Sequence, residues 1–137
     1  MEDKIVSNAE LVYDQMRTNG IIAIVRNIPD DAIINVAEAL LAGGVSLIEV
    51  TCNTPGVFDM IRQLSGTMND KMFIGAGTVI TLELAKKAHE AGARYMVTPD
   101  IYPDVINYCL DNDLAIIPGV ATATEILNAY RMGLKMV

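Results

Sequence analysis

Cysteine, aromatic residues and long apolar runs are scarce in this sequence, and each scarcity excludes a class of protein. Cys52 and Cys109 are the only two cysteines among 137 residues, so neither a disulfide framework nor a zinc site is expected. The longest apolar runs, such as residues 21–25, are far shorter than the roughly twenty residues of a membrane span. The N-terminal Met-Glu-Asp-Lys lacks the basic and apolar regions of a signal peptide. A cytoplasmic location in a reducing compartment is therefore predicted.

Positive charge is also in short supply. Ten Lys and Arg residues stand against 17 Asp and Glu residues, for a net charge of −7. This balance disfavours nucleic acid and anionic membrane surfaces as partners. An anionic small molecule remains compatible with it, because one local Arg can outweigh the global charge.

Apolar residues, in contrast, are abundant. They make up 52% of the chain, and the mean hydropathy is +0.34. With this length, we expect one domain with a sizeable core, spanning residues 1–137. An N-terminal helical segment is predicted within residues 1–20, and the remaining residues, 21–137, alternate between strand and helix patterns.

That alternation predicts an α/β fold of parallel strands joined by right-handed crossovers. Strands are predicted at residues 21–25, around Glu49, at 72–76, 94–98 and 114–117, with a sixth beginning at 134–137. Helices are predicted at residues 8–19, 29–41, 57–64, 82–90 and 103–111, and from the capping box Thr122–Glu125 to Gly133. A doubly wound open sheet and part of a (βα)₈ TIM barrel both fit this pattern. The dinucleotide and Walker A glycine motifs are absent.

The segment 46–55 carries the most unusual residue, a carboxylate in the middle of an apolar strand. An unpaired Glu49 buried there would lose several kcal/mol of solvation or take up a proton, which makes it a candidate general acid or base. The alternatives are a structural Glu paired with an Arg, or a strand exposed on one face.

Functional residues of both candidate folds gather at the carboxyl ends of the strands. The unusual residues there are Arg26, Glu49, Thr51, Asn53, Thr78, Thr98, Pro99, Pro118 and Gly119. Strand periodicity places Glu49 and Thr51 on one face. If that face is a barrel interior, Arg26, Glu49 and Thr78 converge on one polar site. The alternative is a structural ion pair between Arg26 and Glu49. His89 lies in a polar helix and is expected to be solvated.

Five motifs in order resemble one family. They are Ile-Val-Arg at 24–26, Ile-Glu-Val-Thr at 48–51, Ile-Gly-Ala-Gly-Thr-Val at 74–79, Val-Thr-Pro at 97–99 and Pro-Gly-Val-Ala-Thr-Ala-Thr-Glu at 118–125. Together they resemble the 2-keto-3-deoxy-6-phosphogluconate / 4-hydroxy-2-oxoglutarate aldolases over residues 19–137. Segments 97–100 and 121–125 look closest to the branch acting on the galactonate epimer.

The resemblance implies a class I aldolase on a (βα)₈ barrel, here about five units and the start of strand six. Its substrate would be a phosphorylated 2-keto-3-deoxy sugar acid, cleaved to pyruvate and glyceraldehyde 3-phosphate. The resemblance implies no metal or organic cofactor, and a homotrimer.

The resemblance also implies roles for single residues. Glu49 matches the general acid/base that acts through a bound water, and Thr78 and Pro99 match residues of the pyruvyl pocket. Arg26 matches an Arg near the substrate's anionic groups, and Thr51 lies beside it as a further substrate-binding candidate. Asn53 is a departure, because gluconate-type members carry an Arg that contacts the pyruvyl carboxylate. Asn53 remains a substrate-binding candidate.

The Schiff-base lysine of the family follows a segment like residues 133–137, one position beyond the end of this sequence. Lys135 would point to the opposite face, about 10 Å back along the strand, and is not expected to replace it. The chain alone is therefore expected to be inactive and, with open strand edges, oligomeric or aggregated. Two alternatives remain: a non-catalytic half-barrel that binds an anion or a subunit, and a barrel enzyme that uses Glu49 without a Schiff base.

Overall fold

Helices and strands alternate along residues 6–137, the part of the chain that the computed structural model describes. The strands are β1 Ala23–Val25, β2 Leu47–Thr51, β3 Phe73–Gly77, β4 Tyr95–Thr98 and β5 Ala115–Pro118. The helices are α1 Asn8–Asn19, α2 Ile33–Ala42, α3 Val57–Met68, α4 Leu82–Glu90, α5 Pro103–Asp111 and α6 Ala123–Arg131, with a 3₁₀ turn Asp30–Ala32 before α2. None of these helices has the length and apolar character needed to cross a bilayer.

The five strands form one parallel sheet in the order β1-β2-β3-β4-β5. Each strand pairs with the next strand along the chain, so the order never reverses. A doubly wound sheet requires such a reversal, whereas a (βα)₈ barrel adds its strands in sequence. The barrel prediction is therefore confirmed, here as a partial barrel of five strands.

Local sequence signals explain where several helices begin and end. Ser7 caps α1 by accepting from the Glu10 N–H, and Gly20 ends the helix in the left-handed conformation. The predicted capping box of α6 is present, since Thr122 and Glu125 satisfy each other's backbone N–H groups. These signals act within one turn of helix, so the sequence alone reveals them.

One face of the sheet packs against helices α2–α6, and we call the apolar cluster between them the outer layer. The strands contribute the fully buried residues Ile48, Val50, Ile74, Ala76, Met96 and Ile116. The helices contribute residues such as Ile61 and Leu64, which are also fully buried. Burying an aliphatic side chain of this size stabilises the fold by about 1.5–3 kcal/mol.

The opposite side of the sheet, which we call the inner face, packs partly against α1. Leu47, Tyr95 and Ala115 meet Val12, Tyr13 and Met16 of that helix. The Tyr13 hydroxyl donates to the Ile116 carbonyl oxygen at 3.0 Å and accepts from the Ile116 N–H at 2.9 Å. Asp113 accepts from the N–H groups of Asn8 and Ala9, at 2.7 and 3.2 Å. These contacts hold α1 against β5.

The predicted start of a sixth strand is wrong, because residues 134–137 form no strand. The Leu134 N–H instead donates to the Ala129 carbonyl at 3.2 Å, and the Lys135 ammonium forms an ion pair with Glu10 of α1. A parallel sixth strand would need backbone groups on the free edge of β5. The N–H and C=O of Ile116 on that edge are bound to Tyr13.

Candidate active site

Glu49 lies in the middle of β2, which pairs on both sides with β1 and β3. All five residues of this strand are buried, and Glu49 itself is only 5% exposed. Burial raises the pKa of its carboxyl group from 4.5 to about 7, and the nearby Arg26 guanidinium opposes part of that rise. The prediction of a buried, perturbed carboxylate is thus confirmed, and a strand exposed on one face is excluded. A pKa near neutrality allows the same group to give and take a proton.

Glycine in β3 makes room for this carboxyl group. A Cβ atom on Gly77 would lie 2.0 Å from Glu49 Oε1 and 2.7 Å from its carboxyl carbon. Real Cβ atoms do not approach other atoms so closely, so any larger residue would displace the carboxylate. Gly77 therefore fixes where Glu49 sits on the inner face.

Gly75, the residue opposite Glu49 in the register, makes room for an aromatic ring in the same way. A Cβ atom on Gly75 would lie 2.3 Å from both Cε2 and Cζ of Tyr95. Tyr95 is fully buried. The two alternate glycines of β3 thus lie under two neighbouring functional groups on the inner face, a carboxyl and a phenol.

A chain of hydroxyl groups connects the ends of β1 and β2. Thr51 Oγ1 lies 3.4 Å from Arg26 Nε and 3.1 Å from Thr54 Oγ1. Thr54 in turn accepts from the Asn27 N–H at 3.1 Å. Arg26 forms no ion pair with Glu49, both of which are described residues. The alternative of a structural ion pair is therefore not found, and Arg26 is exposed at the mouth of the sheet.

The remaining predicted site residues occupy the loops after the strands. Thr78 follows Gly77 directly, is half-buried and has a left-handed backbone with φ 54°. Pro99 is exposed after β4, and its carbonyl oxygen lies 2.4 Å from where a Cβ of Gly119 would stand. Asn53 is exposed in the turn after β2. The structure thus groups Arg26 and Thr51 by direct contact and places the other three residues along the same rim.

The family model for KDPG and KHG aldolase matches residues 12–137. The chain belongs to this family. A 2-dehydro-3-deoxy-phosphogluconate aldolase of Treponema pallidum is 41% identical over 101 residues, which cover 74% of this chain and 48% of that protein. The 2-dehydro-3-deoxy-6-phosphogalactonate aldolase of Escherichia coli is 35% identical over 114 residues, which cover 82% of this chain and 55% of that protein.

Solved structures agree with this family membership. The KDPG aldolase of Legionella pneumophila, crystallised with pyruvate captured as a covalent carbinolamine intermediate, gives a TM-score of 0.82 at 29% identity. That match covers 93% of this chain and 60% of the other. The 2-keto-3-deoxy-6-phospho-gluconate aldolase of Zymomonas mobilis gives a TM-score of 0.82 at 28% identity, over 90% and 59% of the two chains. This aldolase-family chain spans about half the length of the curated relatives it matches.

None of the lysines of the described region is among the charges that shift the Glu49 pKa. Lys71, Lys86, Lys87 and Lys135 are all exposed, and the last two form ion pairs with Glu83 and Glu10.

The side chain of His89, the one histidine of the sequence, lies between α4 and α5. Its Nδ1 atom is 2.9 Å from the Tyr108 hydroxyl, so it is half-buried and hydrogen-bonded rather than freely solvated. Residues 6–137 contain no cluster of His, Cys, Asp and Glu that could hold a metal ion.

Sequence reasoning missed Thr54, Tyr95 and the function of the β3 glycines. Glycine at alternate positions of a strand signals that another group approaches the backbone closely, so Gly75 and Gly77 could have been found. Tyr95 is the second residue of the predicted strand 94–98 and is an ordinary β-forming residue, so only the register of β2, β3 and β4 places it near Glu49. Thr54 acts from a turn, where the sequence contains no comparable signal.

Proposed function

We propose that this protein is a Schiff-base aldolase that cleaves a phosphorylated 2-keto-3-deoxy sugar acid to pyruvate and glyceraldehyde 3-phosphate. One observation carries the proposal: the buried Glu49 carboxyl, with a pKa of about 7, lies on the inner face of a family barrel. Such a group can act as acid in one step and as base in the next at neutral pH.

The chemistry requires an amine and a proton carrier. The amine adds to the substrate ketone, and loss of water gives an iminium ion that accepts the electron pair from the broken carbon–carbon bond. The bond breaks as the 4-hydroxyl loses its proton, and the resulting enamine of pyruvate takes up a proton at carbon. Water then hydrolyses the iminium ion, which releases pyruvate and restores the amine. Glu49 is proposed to move these protons through a bound water. The amine would come from outside residues 6–137, since the described lysines are exposed and Arg26 is the only described charge that shifts the Glu49 pKa.

The residues around the rim are proposed to bind the substrate. Arg26 is exposed, positively charged and held near Thr51, so it suits an anionic group of a keto acid. Thr78 and Pro99 are proposed to line the pyruvyl end. Asn53 is neutral, whereas an Arg at this position would attract the carboxylate by its charge. Arg26 is therefore proposed to supply more of the carboxylate binding. Relatives named for both the gluconate and the galactonate substrate match the chain, so we propose either epimer as substrate.

The decisive experiment is borohydride trapping with pyruvate in the protein expressed from its complete gene. We expect a stable adduct on a lysine outside residues 6–137, detected by mass spectrometry. Glu49→Gln should still fold and should slow turnover by about a hundredfold or more. Absence of any adduct would reject the Schiff-base mechanism, and near-normal turnover of Glu49→Gln would reject the role of Glu49.

We further propose that the protein works in the cytoplasm as a homo-oligomer, with a trimer as the expected state. Support comes from apolar side chains left exposed on α6, where Ile126, Leu127 and Tyr130 are 48%, 51% and 76% exposed. Surfaces of this kind promote association. Light scattering after size exclusion would measure the assembly.

A second candidate function is a non-catalytic domain that binds an anion. The exposure of all described lysines favours it, since Arg26 and the threonine hydroxyls could hold a carboxylate without any covalent step. Pyruvate binding by calorimetry in the complete protein, together with no borohydride adduct, would support this alternative.

A further inference from the structure

Thr54 is a polar residue buried in the turn after β2, next to the proposed substrate-binding residues. It is 3% exposed, and Thr51 at the end of β2 is fully buried. A buried hydroxyl without a hydrogen bond destabilises a protein, so both threonines need partners. The partners of Thr54 are Thr51 and Asn27, which lie on either side of the contact between Thr51 and Arg26.

The backbone of Thr54 is held on both of its sides. Its N–H donates to the Thr51 carbonyl at 2.8 Å, and its carbonyl accepts from the N–H of Val57, the first residue of α3, at 3.2 Å. The Thr54 hydroxyl therefore has a fixed position between the end of β2, the start of α3 and the loop after β1.

The hydrogen bonds of the two threonines run in a defined direction. The Asn27 N–H donates to Thr54 Oγ1 at 3.1 Å, and Arg26 Nε donates to Thr51 Oγ1 at 3.4 Å. Thr51 Oγ1 donates its own proton to the Val25 carbonyl at 3.4 Å. A hydroxyl has one proton and two acceptor sites, so Thr54 donates the 3.1 Å bond between the two hydroxyls. Thr51 Oγ1 then accepts from both Thr54 and Arg26, which uses both of its acceptor sites.

Thr54 thereby acts on Arg26 in two ways. Through Thr51 it holds the oxygen that accepts from Arg26 Nε, and through the Asn27 N–H it holds the backbone of the following residue. Asn27 has a left-handed backbone with φ 54°, so the chain turns directly after Arg26. The bond to Thr51 uses Nε, which leaves the two Nη nitrogens of the guanidinium for a carboxylate or phosphate group.

We propose that Thr54 is a positioning residue for Arg26, and that its hydroxyl holds the guanidinium in the orientation that binds an anionic group of the substrate. The inference rests on the proposed role of Arg26 and extends it to a second, buried residue. A long, exposed side chain loses rotamer freedom when it binds a ligand, and a hydrogen bond made beforehand reduces that loss. A Thr54 with a structural role alone would affect stability and leave substrate binding unchanged.

The first test observes Arg26 directly in the complete protein, without substrate. Nitrogen-15 NMR follows the exchange of the Arg26 Nε proton with water, and Arg26→Gln identifies its signal. In Thr54→Val, which replaces the hydroxyl by a methyl group, we expect this exchange to become several times faster, because the hydrogen bond opens more often. Thr54→Ser keeps a hydroxyl and should restore the natural rate. Unchanged exchange in Thr54→Val would overturn the proposal.

Thr51→Val is a second variant for the same measurement. It removes the acceptor of the Arg26 Nε proton and should accelerate exchange in the same way, so the result does not depend on the folding of Thr54→Val alone. Exchange that is as slow in Thr51→Val as in the natural protein would also overturn the proposal, because the contact between Arg26 and Thr51 would then hold nothing in place.

The second test measures turnover of the phosphorylated sugar acid. Thr54→Val should raise KM by about tenfold with a smaller change in kcat, because a misplaced guanidinium weakens substrate binding. In an Arg26→Gln background, Thr54→Val should cause no further rise, since its effect acts through Arg26. Fully additive effects of the two substitutions on KM would contradict the proposal.

Thr67→Val is the matched control, since the Thr67 hydroxyl donates to the Gln63 carbonyl at 2.6 Å on the exposed side of α3. It should change neither the exchange rate nor KM. The two tests separate this inference from the proposed function. An Arg26→Gln enzyme with a normal KM would reject substrate binding by Arg26, while the exchange rates would still decide whether Thr54 positions that side chain.

Discussion

The two faces of the sheet are built on different principles. The outer layer is an apolar cluster in which strand residues such as Ile74 and Met96 pack against five helices. The inner face combines apolar residues with a carboxyl, a phenol and a threonine, and its spacing depends on two glycines. Stability thus concentrates on one side of each strand and the chemistry on the other. Substitutions on the two faces should therefore affect different measurements.

The largest effect is expected from a cavity in the outer layer. Leu64→Ala in α3 removes most of a fully buried side chain and should lower the free energy of unfolding by about 2–5 kcal/mol. Urea denaturation of the complete protein measures this change. The Glu49 titration should remain at about 7, because Leu64 packs on the other face. A shifted Glu49 pKa would show that the two faces are coupled.

A second effect should appear in the pH dependence of stability. The folded pKa of Glu49, about 7, lies above its ordinary value of 4.5, so the folded state keeps a proton that the unfolded state loses between these pH values. Ionisation therefore lowers the stability of the natural protein as pH rises through this window, by up to about 3 kcal/mol. Glu49→Gln lacks this titration.

Unfolding measured at pH 4.5 and pH 8 should therefore show Glu49→Gln gaining stability over the natural protein as pH rises. Glu125→Gln, at an exposed carboxyl whose pKa is lowered by its hydrogen bonds in the capping box, should show the opposite sign. Equal pH dependence in the natural protein and Glu49→Gln would mean that the carboxyl is solvated.

The smallest effect on folding, but a clear one on turnover, is expected from Gly77→Ala. The new methyl group would displace the Glu49 carboxyl, and a shift of about 1 Å in a catalytic group can slow turnover by about a hundredfold. Gly66→Ala is the control: its Cβ would meet nothing within 4 Å, and it lies inside α3, so it should stabilise the protein by about 0.5–1 kcal/mol. Normal turnover in Gly77→Ala would show that Glu49 can move without loss.

Much of the outer layer was predictable from the sequence, and less of the inner face. Helices α4 and α5 of that layer have the predicted bounds, because the Thr81 cap and Pro103 act locally. The apolar run around Glu49 predicted β2 and its buried carboxyl. The contact of Tyr95 with Gly75 depends on the register between β3 and β4, which local patterns do not determine. The same is true of Tyr13, whose hydroxyl bonds to a residue 103 positions away.

The contact between Tyr13 and Ile116 has a consequence for the open side of the sheet. The backbone N–H and C=O groups of successive residues point alternately to the two sides of a strand. The Gly119 N–H donates to the Thr98 carbonyl of β4, and the backbone groups of Ile117 point the same way. The N–H and C=O of Ile116 therefore point away from β4. Unpaired backbone groups at a sheet edge attract strands from other chains. The Tyr13 hydroxyl of α1 binds the N–H and C=O of Ile116, as the backbone of a neighbouring strand would. Amide hydrogen exchange at Ile116 should therefore follow the docking of α1, and loosening that helix would expose a template for strand addition.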